Sequence, residues 1–103
     1  MSLRATPIVS VVMPTYNRAH LLEPVIDSIL NQDYRDMDLI IVDDGSSDNT
    51  QELVKRIQGR DARLRYVKLS HNRGIGFARD AGLRHAVGKY IALADSDDLW
   101  IPA

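Results

Sequence analysis

The sequence contains no cysteine among its 103 residues. This absence excludes a disulfide scaffold, a cysteine-ligated zinc site and catalysis by a thiol. The chain also lacks an excess of charge, because thirteen Lys and Arg residues oppose fourteen Asp and Glu residues. A formal charge of −1 gives no general electrostatic reason to bind nucleic acid or an anionic membrane.

A membrane-spanning segment is absent as well. The only long uncharged stretch, from Ala5 to Asn17, is too short to span a bilayer and has no signal-peptide cleavage pattern. We therefore expect a protein that is cytosolic or that faces the cytosol. Residues 1–3 resemble a vector remnant, and the 45% hydrophobic content predicts a single domain with a core over residues 1–103.

Four apolar runs predict four β-strands, over residues 8–13, 39–42, 64–69 and 90–94. The first, second and fourth runs are nearly continuous and rich in β-branched residues, which is typical of strands buried on both faces of a parallel sheet. The third run alternates apolar and basic residues. We therefore expect the third strand to lie near an edge of the sheet.

The segments between these strands have helical patterns. Apolar residues over 21–30 follow one helix face, and Pro24 inside the pattern predicts that the regular helix starts late. A second, shorter stripe covers residues 53–57, with Asp48 as a candidate cap before it. The third helix is predicted over about 76–86. Its small residues, which predict close packing on the sheet, are Ala78, Ala81 and Gly82.

Strands that alternate with helices predict right-handed βαβ units. The fold class is therefore α/β, with a Rossmann-like, mostly parallel sheet and flanking helices. The sequence ends on Trp100-Ile101-Pro102-Ala103, a pattern that more often begins an element than closes a domain. We expect the chain to be the front half of a larger unit.

Polar segments follow each predicted strand. In open α/β sheets, ligands bind outside the carboxyl ends of the strands, so these loops are the candidate site. The loops cover residues 14–18, 43–48, 70–74 and 95–98.

Three carboxylates in the last loop indicate a metal site. If the chain stays extended there, Asp95 and Asp97 face the same side and suit one hard divalent cation, Mg²⁺ or Mn²⁺. The alternative is that these residues cap a helix that starts near Leu99. That alternative suits Asp98, but it leaves the repulsion between the other two carboxylates unexplained.

The second and third loops allow both a structural and a binding interpretation. Asp43 and Asp44 precede a glycine and suit a turn, but one of them is also a candidate acceptor for hydrogen bonds from a base or ribose. The segment Arg73 to Arg79 combines arginines with a helix start, which suits a phosphate. Neither a dinucleotide fingerprint nor a P-loop is present, and the three histidines lack metal-ligand spacing.

Four motifs resemble those of family 2 glycosyltransferases. Residues 9–18 resemble the opening strand of the family, and residues 42–48 resemble its second motif. Residues 72–74 together with 78–82 resemble the third motif, and residues 95–98 resemble the metal-binding DXD motif. The resemblance implies a GT-A fold, with this chain as its nucleotide-sugar-binding part.

The resemblance also implies roles for individual residues. It implies that Asp44 bonds a uracil-type imide and that Asp97 is the main metal ligand, with Asp95 directed to the metal or the ribose. Arg79 is then near the phosphates or steadies the DXD loop, whereas Asp80 departs from the asparagine common in the family. The donor-binding residues so implied are Pro14, Thr15, Tyr16, Asp44, Asn72, Arg79, Asp95 and Ser96.

The function implied is transfer of a sugar from a nucleotide-sugar donor, expected to be a UDP-sugar, to an acceptor hydroxyl with inversion. The family has its catalytic base later in the chain, so we expect residues 1–103 to bind the donor without transferring sugar and to self-associate through an open strand edge. The acceptor is a saccharide, a lipid or another hydroxyl compound. The alternatives are a non-catalytic nucleotide-binding module and a metal-dependent nucleotidyltransferase.

Overall fold

The computed structural model describes residues 7–97 and residue 99, and these form a four-stranded sheet with helices on both faces. Residues 1–3, Asp98 and Trp100, which entered the expectations above, lie outside the described residues. In chain order the elements are β1 Val9–Thr15, α1 Ala19–Leu30, β2 Met37–Asp43, α2 Thr50–Gln58, β3 Leu64–Lys68, α3 Ile75–His85 and β4 Tyr90–Leu93.

The four strands are parallel and lie in the order β3-β2-β1-β4. This arrangement confirms the Rossmann-like α/β fold, and β3 lies at an edge as its alternating pattern predicts. The prediction that the fourth run is buried on both faces is wrong. Tyr90, Ile91 and Leu93 are exposed because β4 forms the other edge, and no described strand pairs with its outer side.

Alternate residues of β2 explain why residues 39–42 are all apolar. Leu39 and Ile41 pack into the larger core with α1 and α2, whereas Ile40 and Val42 pack into the smaller core with Ala78 of α3. All four β2 side chains are fully buried. The central strand therefore needs hydrophobic residues on both of its faces.

Helix α1 differs from the prediction of a late start. It begins at Ala19 and contains Pro24 in its interior, and its first turn is closed by a 2.9 Å hydrogen bond from Leu21 N to Arg18 O. Proline cannot donate to the carbonyl of His20 one turn earlier. Both residues are exposed, so water can satisfy that carbonyl.

Helices α2 and α3 begin close to the predicted positions. Asn49 precedes α2, and the candidate cap Asp48 accepts a 3.1 Å hydrogen bond from Thr50 N through Oδ1. In α3, a Cβ on Gly82 would overlap the side chain of Val12, which confirms the predicted close packing on the sheet. No helix in the described part of the chain is long and apolar enough to cross a membrane.

Candidate functional site

A pocket of about 400 Å³ lies at the carboxyl edge of the sheet. All four strands are parallel, so the loops that follow them converge at this edge. Each of the four loops contributes to the pocket, as the sequence predicts. The residues that line it are Pro14, Thr15, Tyr16, Arg18, Asp44, Asn72, Gly74, Ile75, Asp95, Ser96 and Asp97.

Thr15, at the end of β1, lines this pocket and carries a buried hydroxyl. The residue is only 3% exposed, and its Oγ1 has no hydrogen-bond partner among the described residues. Its carbonyl accepts a 2.9 Å hydrogen bond from Asp44 N, which joins the loops after β1 and β2. A buried hydroxyl without a partner is costly, which makes Thr15 Oγ1 a candidate contact for a ligand.

Asp44 connects the loop after β2 to the loop after β3. Its Oδ1 accepts from Arg73 N at 2.8 Å, and its Oδ2 accepts from Gly74 N at 3.0 Å. Gly45 has φ of +80°, and a Cβ there would lie 2.6 Å from Asn72 N. Asp44 therefore has a structural role between these two loops, while the residue also lines the pocket and each carboxylate oxygen retains a lone pair for a ligand.

The loop after β3 leads into α3 at the pocket wall. Gly74 precedes the helix with φ of +95°, and Ile75 is the first helical residue. Both residues line the pocket together with Asn72, so the helix begins at the pocket. The guanidinium of Arg73 lies 4.9 Å from the centre of the Phe77 ring, which is a cation–π contact beside the pocket.

The loop after β4 is less extended than the metal hypothesis assumed. β4 ends at Leu93, and Ser96 and Asp97 lie in a turn, so the strand alternation used to pair Asp95 with Asp97 is wrong. Asp95 and Asp97 nevertheless line the same pocket. Ser96, which lies between them in the sequence, is buried and lines it too. The turn, rather than an extended strand, brings them to one cavity.

The two carboxylates on this cavity supply only part of the ligands that a divalent cation needs. Carboxylate oxygens are the ligands that Mg²⁺ and Mn²⁺ prefer. No group of three or more metal-ligating side chains occurs within the described residues. Such a site suits Mg²⁺ or Mn²⁺ if water and substrate phosphates complete the ligand set, which is usual for Mg²⁺.

Arg79 is the predicted donor-binding residue that does not line the pocket. Its guanidinium lies 3.5 Å from Asp95 Oδ1, and its Nε is buried without a hydrogen-bond partner among the described residues. Of the two predicted roles for Arg79, this geometry favours the one that steadies the loop after β4. Asp80 pairs with Arg84 at 3.1 Å on the exposed side of α3, away from the lining.

Arg18, Gly74 and Ile75 line the pocket although the sequence interpretation gave none of them an individual role. Arg18 lies in the first polar loop, Gly74 ends the third, and Ile75 is the first residue of α3. Their positions after a strand could therefore have indicated that these residues belong to the site, although their residue types did not. The roles of all lining residues stay predictions.

A parallel sheet with a carboxylate-lined pocket at its carboxyl edge characterises Rossmann-like α/β proteins that bind ligands there. Residues 10–103 match the sequence model of glycosyl transferase family 2, and the chain belongs to that family. The predicted family is thereby confirmed, and the sheet is the Rossmann-like part of a GT-A domain.

Curated relatives are considerably longer than this chain. It is 39% identical over 94 residues to the Escherichia coli UDP-Glc:alpha-D-GlcNAc-diphosphoundecaprenol beta-1,3-glucosyltransferase WfgD, covering 91% of this chain and 36% of that protein. It is 40% identical over 93 residues to the Campylobacter jejuni GalNAc(5)-diNAcBac-PP-undecaprenol beta-1,3-glucosyltransferase, covering 89% and 30%. The chain thus spans about a third of these relatives.

Solved structures share the fold. The mannosyltransferase PcManGT from Pyrobaculum calidifontis, in complex with GDP-Man and Mn²⁺, aligns with a TM-score of 0.85 and 36% identity over 92% of this chain and 29% of that chain. TarS 1–349 from S. aureus in complex with UDP aligns with a TM-score of 0.82 and 31% identity over 88% of this chain and 28% of that chain.

Proposed function

We propose that this chain is the donor-binding part of an inverting glycosyltransferase that uses a UDP-sugar. The observation that carries the proposal is the convergence of Thr15, Asp44, Asp95 and Asp97 on one pocket of about 400 Å³. The lining residues combine a buried hydroxyl, a hydrogen-bond acceptor and two carboxylates. A nucleoside diphosphate presents complementary groups, because a base and ribose donate hydrogen bonds and a diphosphate binds divalent cations.

The base end of the pocket is assigned to Tyr16 and Asp44. The backbone amides of Arg73 and Gly74 fix the Asp44 carboxylate, which can then accept a hydrogen bond from the imide N–H of uracil. The names of relatives support a UDP donor, since WfgD is named a UDP-Glc transferase and TarS was solved with UDP and with UDP-GlcNAc. PcManGT was solved with GDP-Man, so a guanine nucleotide is the one to compare with UDP in binding experiments.

The metal end of the pocket is assigned to Asp95 and Asp97. They would hold Mg²⁺ or Mn²⁺, and Arg79 would restrain Asp95 from outside the pocket. A cation bound here offsets the negative charge that builds on the departing diphosphate. The Mn²⁺ in the PcManGT complex supports this assignment.

The proposed reaction joins the oxygen of an acceptor hydroxyl to the anomeric carbon of the donor sugar. The bond between that carbon and the diphosphate oxygen breaks, the nucleoside diphosphate leaves with the electron pair, and the hydroxyl proton passes to a base. No residue of this chain is assigned as that base. The names of the two glucosyltransferases support an undecaprenol-linked acceptor, and with such an acceptor the proposed site of the reaction is the cytoplasmic face of the membrane.

Titration calorimetry with UDP, with and without Mn²⁺, tests the proposal. We expect the chain to bind UDP and to bind it more tightly with Mn²⁺, and Asp97→Asn to lose most of that metal dependence. Asp80→Asn is the matched control, because this carboxylate is exposed on α3 and does not line the pocket. Failure of the unmodified chain to bind UDP, or an unchanged metal dependence in Asp97→Asn, overturns the assignment.

A further inference from the structure

Asn17 stands between two residues that line the pocket but does not line it itself. Its neighbours Tyr16 and Arg18 are both lining residues. The backbone of Asn17 has φ of +52°, which is the left-handed region. Among non-glycine residues, asparagine tolerates this conformation best, and a residue held there usually serves a local purpose.

The side chain of Asn17 connects the loop after β1 to the loop after β2. Its Oδ1 accepts hydrogen bonds from Ser47 N at 2.8 Å and from Asp48 N at 3.3 Å. Its own backbone N–H donates to Ser46 Oγ at 2.9 Å. With a further 3.5 Å hydrogen bond from Ser47 Oγ to Asn17 Oδ1, four hydrogen bonds of this residue connect segments that lie about thirty positions apart in the sequence.

Asp48 strengthens the same connection from the other side. Its Oδ2 accepts a 3.1 Å hydrogen bond from Ala19 N, the first residue of α1. Its Oδ1 accepts from the backbone and hydroxyl of Thr50, the first residue of α2. The starts of both helices are thus tied to the contact between the two loops.

We propose that Asn17 is a positioning residue for the nucleotide pocket. Its carboxamide holds the loop after β1 against residues 46–48, so that Tyr16 and Arg18 line the same cavity as Asp44. The chain bends at Tyr16 and Asn17, and the left-handed backbone at position 17 lies between the two lining residues. This inference rests on the proposed function, because it assigns Asn17 a role in binding the nucleotide that the pocket is proposed to hold.

Asn17→Gly is the discriminating variant. Glycine adopts φ of +52° without strain, so the substitution removes only the carboxamide and not the backbone conformation. Loss of the hydrogen bonds that Asn17 Oδ1 accepts should weaken UDP binding about tenfold in calorimetry with Mn²⁺. Asn17→Asp keeps an acceptor and tolerates the same backbone, and should retain most of the affinity. Asn31→Gly, at the exposed end of α1, is the matched control and should bind like the unmodified chain.

A double-mutant cycle with Tyr16→Ala separates positioning from general stability. If Asn17 acts through Tyr16, then Tyr16→Ala costs much less UDP affinity in the Asn17→Gly background than in the unmodified chain. Additive effects of the two substitutions overturn the inference, and so does an Asn17→Gly variant that binds UDP normally. If the unmodified chain does not bind UDP, the proposed function fails and this inference fails with it.

Discussion

The phenol hydroxyl of Tyr66 donates a hydrogen bond to the carboxylate of Asp43, which is completely buried at the end of β2. The other carboxylate oxygen of Asp43 accepts from Ser46 N at 2.8 Å. Burial of Tyr66 and its hydrogen bond to Asp43 raise the pKa of the phenol above its ordinary value. The pair therefore anchors the start of the loop after β2 to β3, on the side of the larger core.

Tyr66→Phe should destabilise the fold. The variant keeps the ring but leaves one oxygen of a buried carboxylate without its donor, which costs about 1–3 kcal/mol or more. Urea unfolding followed by circular dichroism measures the loss. Tyr34→Phe is the matched control, because Tyr34 is about half exposed. Equal midpoints for Tyr66→Phe and Tyr34→Phe would show that the Asp43 carboxylate does not depend on the phenol.

Stability should decline at acid pH through Asp48 and Asp61. Burial raises the pKa of Asp48, but hydrogen bonds from Thr50 and Ala19 outweigh it, so its pKa lies below the ordinary value of an aspartate. The Arg63 hydrogen bond likewise lowers the pKa of Asp61. The unfolded chain therefore binds more protons below about pH 4, and the stabilisation present above that pH is lost as the pH falls.

The measurement is urea unfolding at several pH values between about 6 and 3. Asp61→Asn should be less stable than the unmodified chain at pH 6 and should lose less on acidification. Asp33→Asn, at an exposed position between α1 and β2, is the control and should follow the unmodified chain. The same dependence on pH in Asp61→Asn would show that Asp61 does not contribute to the acid sensitivity.

Elements of the fold with a clear period could be predicted from the sequence. The apolar run of β2 is buried on both faces because helices cover both sides of the sheet there. The run of β4 has the same pattern, but its position at an edge leaves Ile91 and Leu93 exposed. The hydrophobic pattern of a strand indicates which of its side chains can be buried. The strands and helices that pack against it determine which of them are buried.

The candidate site, like the fold, could be predicted from the sequence only in part. Position after a strand predicted the four loops, since a parallel sheet brings them together. The hydrogen bonds among those loops could not be predicted, because they join residues far apart in sequence, such as Asn17 with Ser47 and Asp44 with Arg73. The turn at Ser96 and Asp97 was missed because three acidic residues in four fit both an extended and a turned backbone.

The exposed edge of β4 should make the chain self-associate. Ile91 and Leu93 are about half exposed on the α3 face, and the outer side of β4 has no partner within residues 7–97. Sedimentation velocity should show association that grows with concentration and that Leu93→Lys abolishes. Leu21→Lys, at an exposed leucine of α1, is the control. A monomer at high concentration would contradict this prediction.

Two glycines of α3 should respond to alanine in opposite directions. A Cβ on Gly82 would overlap Val12 and lie 2.9 Å from Val42 Cγ2, so Gly82→Ala should destabilise the fold by about 1–3 kcal/mol. A Cβ on Gly76 meets no atom within 4 Å, so Gly76→Ala should stabilise the helix by about 0.5–1 kcal/mol. Thermal unfolding of both variants checks the sign of each change, and the same sign in both would contradict the packing described here.

Thr15→Val should weaken nucleotide binding without weakening the fold. Valine has nearly the same shape as threonine, so the substitution removes the buried Oγ1 that has no partner among the described residues and leaves the packing intact. Loss of one neutral hydrogen bond to the ligand should lower UDP affinity about 2- to 12-fold, while the free energy of unfolding stays equal or rises. Calorimetry and urea unfolding on the same samples measure both quantities. Thr50→Val is the contrasting control, because its hydroxyl donates to Asp48 Oδ1, so this variant should lower the free energy of unfolding. If Thr15→Val binds UDP normally and is more stable, the hydroxyl does not contact the ligand; if it is less stable, the hydroxyl has a partner within the protein.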